Sequence, residues 1–144
     1  MKNIYFIILY LICFYSYSQI EETETKGRWE VLGSNKDGSV ILKLEESNFY
    51  NFAFRNYQFS DKQIIQSIYF NSSELEIFNL YSFLYKSFDL FESDQSLFKI
   101  DKYEFQVFKK NDDIRIKIIS INSKEIIGLL ILSIKDLNNL FGIY

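Results

Sequence analysis

Residues 71–91 read NSSELEIFNLYSFLYKSFDLF, and the fold turns on how this stretch is read. Stepping roughly 100° per residue, Leu75, Ile77, Phe78, Leu80, Tyr81, Leu84, Tyr85, Phe88 and Phe91 share one arc about 160° wide. Glu76, Asn79, Ser82, Lys86, Ser87 and Asp89 take the rest of the circumference, with Phe83 as an apolar outlier. An apolar arc of that width marks a helix lying on a core. Its start is also encoded: Ser73 followed three positions later by Glu76 is a capping box, each side chain satisfying a backbone N–H that the first turn leaves open. The spacing predicts a helix over residues 74–90.

On the N-terminal side the pattern changes to that of strands. Trp29–Leu32 and Val40–Leu44 flank a turn segment, Gly33–Ser39, whose Asp37-Gly38 pair tolerates positive φ. Phe49–Phe54 and Ile64–Phe70 follow, separated by a loop near 56–62. Beyond the helix, 92–96 is a polar loop, and Phe98–Lys109 alternates in two registers. Asn111-Asp112-Asp113 is a turn signal, and Ile114, Ile116 and Ile118 alternate with Arg115 and Lys117. Residues 125–132, EIIGLLIL, are apolar almost throughout, which predicts a central strand covered on both faces. Ser133 with Asp136 forms a second capping box, Leu132 and Leu137 suit a hydrophobic staple, and Gly142 suits a stop, so a short helix is expected at 134–141. Strand runs with helices set apart predict an α+β fold: one antiparallel sheet of about 6–7 strands, packed by the 74–90 helix and the short C-terminal one.

The first 18 residues, MKNIYFIILYLICFYSYS, have a basic start at Lys2, an apolar run from Ile4 to Tyr15, and small residues at Ser16 and Ser18. That is the layout of a secretory signal peptide cut between Ser18 and Gln19. The apolar run is shorter than the roughly 20 residues needed to span a bilayer. An uncleaved membrane anchor or a buried strand is the alternative. Cys13 lacks the small residue before it that a lipidation signal carries. Residues 19–27 form a polar lead-in, and 28–144 a single domain.

Composition narrows the chemistry. The 144-residue chain is 48% hydrophobic and 24% charged, ordinary for a globular protein. Aromatics reach 19%, Pro is absent and Ala53 is the sole alanine, as an AT-rich genome would give. A net charge of -3 gives no help toward a phosphate backbone, so nucleic acid is not an expected partner. The chain has no histidine, and its one cysteine, Cys13, lies in the signal segment. Ser-His-Asp and Cys-His catalysis and His- or Cys-ligated zinc are therefore outside its means. The five glycines are scattered singly, so no phosphate-cradling loop is written, and neither cofactor nor metal is expected. Asn35-x-Asp37-Gly38 has the middle of a calcium loop but not its ends, Gly33 and Leu44 standing where ligands belong. The carboxylate pairs Glu45-Glu46 and Asp112-Asp113 are sequence neighbours, an arrangement that does not set two carboxyls across a cleft.

One stripe suggests a site. Tyr50, Phe52 and Phe54 alternate on one strand face, with Tyr57 and Phe59 beyond. Exposed, they would stack on sugar rings or hold a partner protein. Turned inward, they are the sheet face on which the long helix packs. The expectation is an exported, non-catalytic binding protein of the bacterial envelope or exterior, with a protein or glycan partner outside the cytoplasm. A small carboxylate-dependent hydrolase acting on glycans, and a membrane-tethered envelope component, are the alternatives.

Overall fold

The computed structural model describes residues 27–59 and 61–144. The signal peptide expected at 1–18, and all of the lead-in except Gly27, lie outside the described residues. The elements run β1 (Trp29–Ser34), β2 (Val40–Leu44), β3 (Phe49–Arg55), β4 (Ile65–Asn71), α1 (Glu74–Lys86), a 3-10 turn (Ser87–Asp89), β5 (Gln95–Ile100), β6 (Tyr103–Lys110), β7 (Asp113–Ser120), β8 (Ile126–Leu132) and α2 (Ile134–Leu140). The class is α+β, as expected, but the described residues form eight strands in two sheets. Each sheet is a four-stranded antiparallel meander, β1-β2-β3-β4 and β5-β6-β7-β8.

The eighth strand comes from a hairpin hidden in the 98–109 segment. Asp101 takes φ 51, the left-handed conformation that lets Asp101-Lys102 turn the chain back, with Ile100 paired to Tyr103. The two registers of alternation in that segment are its two arms. Asn111 does the same at φ 56 between β6 and β7. In the first hairpin the Asn35 side chain accepts hydrogen bonds from the Asp37 and Ser39 N–H groups, and Gly38 takes φ 83. This is a hairpin turn built on backbone chemistry.

Strand β8 corrects a second expectation. It is an edge strand beside β7, not a central one. Its apolar run is accounted for by what covers the edge. Asn56, just past β3, accepts from the Leu129 N–H through Oδ1 at 3.1 Å, and the Tyr57 N–H donates to the Leu129 carbonyl at 2.8 Å. Those bonds occupy edge groups that would otherwise template another chain. Asn56 is itself buried, and its Oδ1 also accepts from the Gln58 N–H.

Both sheets and both helices contribute to one cluster of buried side chains. Ile41, Tyr50, Phe52, Phe54, Ile68 and Phe70 enter it from the first sheet. The second sheet adds Phe105, Val107, Ile114, Ile116, Ile118, Leu130 and Leu132, among others. Helix α1 inserts Ile77, Leu80 and Leu84, and the 3-10 turn adds Phe88. The buried stripe of α1 is narrower than its apolar arc: Leu75, Phe78 and Tyr85 are exposed, as is Phe91 beyond it. The helix also stops short of residue 90. The Ser87 hydroxyl donates to the Phe83 carbonyl at 2.9 Å, the last turn tightens to 3-10, and Leu90 is extended. Phe83, off the apolar arc, packs its ring against Phe98 of β5 at 5.2 Å.

Both capping boxes are formed. The Ser73 hydroxyl accepts from the Glu76 N–H at 3.1 Å while the Glu76 carboxylate accepts from the Ser73 N–H at 3.0 Å. Replacing Ser73 with Ala is expected to cost about 1 kcal/mol in urea unfolding, with no change in the denaturant slope. Ser133 and Asp136 repeat the arrangement at α2. Gly142, at φ 67, then ends that helix: its N–H donates to the Asn139 carbonyl and the Ile143 N–H to the Asn138 carbonyl. This Schellman closure turns the tail back toward the first sheet.

Candidate binding surfaces

The stripe singled out in the sequence divides between core and surface. Tyr50, Phe52 and Phe54 point inward and are buried, so they are the face against which the helices and second sheet pack. Phe59 is exposed, and Tyr57 is half-buried at the edge of the stripe. The Tyr57 hydroxyl donates to the Asp37 carboxylate at 2.5 Å, and the Arg55 guanidinium lies 4.8 Å over its ring.

Burial, reinforced by the hydrogen bond to Asp37, pushes the Tyr57 phenol up to about 12. A phenol ordinarily ionises near 10. The unfolded chain thus loses this proton at lower pH than the folded one, and stability falls as pH rises between about 10 and 12. Tyr57→Phe is expected to remove that part of the decline, measured as the urea midpoint across the same window. Tyr50, raised by burial, and Lys43, raised by its hydrogen bond to Glu74, would supply the slope that remains.

The surface aromatics of the first sheet sit in the opposite register, on its outer face. Trp29 of β1 and Phe49 of β3 have ring centroids 6.1 Å apart, and Phe49 and Tyr69 of β4 are stacked at 6.0 Å. The register sets Val31, Leu42, Asn51 and Tyr69 in one row across the four strands. Trp29 and Leu44 begin the next row, and Val40, Ala53 and Ser67 another. Trp29, Val31, Tyr69 and Ile65 are exposed, Val31 at 64%. Among the described residues no element covers this face, and its one charged side chain is Arg55, drawn to the far end by the Tyr57 ring.

The outer face of the second sheet is built differently. Leu97, Gln106, Lys117 and Leu129 form one row; Lys99, Glu104 and Ile119 form another; Phe108, Arg115 and Ile131 a third. Charged and apolar groups alternate there, as on an ordinary solvated sheet face. Lys99 and Glu104 approach to 3.9 Å. The contrast marks the first sheet's outer face as the unusual one, since an apolar face with a single charge at its end is uncommon on a protein that works alone.

A groove lies on the inner side of the same sheet, at the end where α1 begins. Its volume is about 410 Å³, within the range of small-molecule sites. Leu32, Ile77, Phe78, Phe141 and Ile143 form its apolar walls. Lys43, Glu74, Tyr50 and Tyr81 supply the polar groups. The Schellman turn at Gly142 brings Ile143 to the wall, and the Tyr81 hydroxyl donates to Asn138 Oδ1 at 2.9 Å, tying α1 to α2 beside it. Lys43 Nζ is 2.6 Å from Glu74 Oε1 across the mouth. That hydrogen bond holds the Lys43 ammonium above its ordinary pKa and the Glu74 carboxyl below its own.

The carboxylate pairs stand apart from the groove. Glu45 and Glu46 lie in the β2–β3 turn, where Glu46 takes φ 55. Asp112 lies in the two-residue turn before Asp113 opens β7. Among the described residues no cluster of three or more acidic, histidine or cysteine groups is placed to hold a metal ion, and no helix is long and apolar enough to cross a membrane. The outer face was legible in part: Phe49-Tyr50 and Tyr69-Phe70 are adjacent aromatics, which on a strand must point to opposite faces. Comparison with protein-family models, with curated proteins and with solved structures found no match to this chain.

Proposed function

We propose that this chain is an exported, non-catalytic binding protein of the bacterial envelope or exterior that docks a protein partner on the outer face of its first sheet. The observation that carries the reading is the apolar face around Trp29, Val31, Leu42, Phe49 and Tyr69, whose single charge, Arg55, stands at its far end. Interface cores are depleted in charge and enriched in aromatics, as this face is. A glycan site needs polar side chains set among its aromatics to meet the sugar hydroxyls, and here the polar groups are few: Asn51, itself buried, with Ser67 and Asn71, and Arg55 at the far end. Export rests on the sequence of residues 1–18, with cleavage before Gln19.

Two measurements test this. Intact mass of the native protein in separated cell fractions should give a species beginning at Gln19 outside the cytoplasm. A full-length species in the membrane fraction would instead support the tethered component. Val31→Lys changes an exposed position and should alter stability by no more than about 0.5 kcal/mol, while Tyr69→Lys, which also gives up its stacking on Phe49, should cost about 1 kcal/mol and leave the fold intact. Both are expected to abolish capture of whatever envelope protein the unaltered chain retains. Capture that persists in both variants would place the docking surface elsewhere.

A further inference from the structure

The groove between β2, the start of α1 and the C-terminal tail lies on the opposite side of the sheet from the proposed docking face. We propose that it binds an amphiphilic monocarboxylate: an apolar body against Ile77, Phe78 and Ile143, with its carboxylate on Lys43 in place of Glu74. The walls and volume fit an apolar body with few polar anchors. The sign of the headgroup follows from an asymmetry in the ion pair at the mouth. The Lys43 side chain is 19% exposed and the Glu74 side chain 79%.

An incoming carboxylate would release Glu74 into water, where it is already mostly solvated and needs no partner. An incoming ammonium would have to pair with Glu74 and leave Lys43, whose side chain lies along the groove wall, without a partner. The ligand's apolar body would cover the groove wall along which Lys43 lies, so leaving that ammonium unpaired beneath it is the costlier exchange. Glu30, opposite Lys43 in the register, adds a weaker negative influence at the mouth, so the ligand has to displace Glu74 rather than join it. The Tyr50 hydroxyl, also in the groove lining, is a second donor beside Lys43. Glu74 thus acts as an internal stand-in for the ligand carboxylate.

The test is an NMR titration of the folded protein with monomeric decanoate, 1-decanol and decylamine. Decanoate is expected to shift resonances of Lys43, Ile77, Phe78 and Ile143, and to bind about tenfold more tightly than decylamine. Lys43→Met keeps the apolar stem and should weaken decanoate about tenfold while leaving decanol unchanged. Glu74→Gln removes the competitor and should tighten decanoate binding several-fold. Decylamine binding as tightly as decanoate would overturn the proposal. So would a Lys43→Met variant of unchanged affinity, shifts confined to the outer face, or no saturable decanoate binding below about 1 mM.

Discussion

Phe54→Ala is expected to lower stability by about 3–5 kcal/mol, a large share of the roughly 5–15 kcal/mol that a domain of this size holds. Phe54 is fully buried, tilts against Phe52 at 5.2 Å, and reaches from β3 to β8 of the second sheet. Its ring occupies the space beside Gly128, where a Cβ would come within 2.5 Å of the ring edge. Truncation therefore opens a cavity at the junction of the two sheets, which the hydrogen bonds from Leu129 to the Asn56 side chain and from the Tyr57 N–H to Leu129 hold against collapse. The contact makes a second, sharper expectation. Gly128→Ala should destabilise the protein strongly when Phe54 is present and far less when Phe54 is Ala, a coupling that denaturant melts of the four variants will measure. Additive effects would mean that the two residues do not share this space.

Gly33→Ala is the other substitution with a large expected cost, about 3 kcal/mol or more. A Cβ at residue 33 would fall 2.1 Å from the Asn139 carbonyl oxygen, 2.5 Å from that of Leu140 and 2.6 Å from the Gly142 nitrogen. These are backbone atoms of the last turn of α2, so no side chain can rotate out of the way. Gly142 reciprocates: besides its φ of 67, a Cβ there would meet the Leu32 carbonyl at 2.3 Å. The two glycines let the end of α2 seat directly on β1, next to the irregularity in pairing between Val31 and Gly33. Either the helix end lifts or β1 distorts. Loss of cooperative unfolding, or a marked drop in midpoint, is expected from urea melts; a midpoint like that of the unaltered protein would contradict the close approach. Because Phe141 and Ile143 ride on the same turn, decanoate affinity should fall along with stability.

What the sequence could disclose depended on whether the signal was local. Ser73 with Glu76 and Ser133 with Asp136 fix the helix starts within four residues of chain, and both formed as read. Gly33 shows the limit. In sequence it belongs to a turn segment, whereas in the fold it ends β1 and is small because α2 arrives from over 100 residues away. The Asp101-Lys102 turn carries no glycine or asparagine, and Asp101 adopts its positive φ without announcing it beyond a change of alternation phase. Helix α1 has an apolar arc wider than the surface it meets, so Leu75, Phe78 and Tyr85 could not be separated from Ile77, Leu80 and Leu84 by periodicity. The aromatic stripe was likewise ambiguous. Alternation put Tyr50, Phe52 and Phe54 on one face but did not say which face would be covered, and the aromatic ladder on the open face proved to be exposed Trp29 and Tyr69 with half-buried Phe49 between them. The groove draws on β1, β2, β3, α1 and the tail, and no single stretch of sequence contains its outline.

The most direct test of the docking face is photo-crosslinking in living cells, with a photoreactive phenylalanine placed in turn at Phe49, at Tyr69, and at Lys117 on the outer face of the second sheet. Crosslinks to one protein species from positions 49 and 69, and none from 117, are the expected result. Crosslinking from 117 alone, or an unlinked protein at all three positions, would contradict a partner seated on the first sheet.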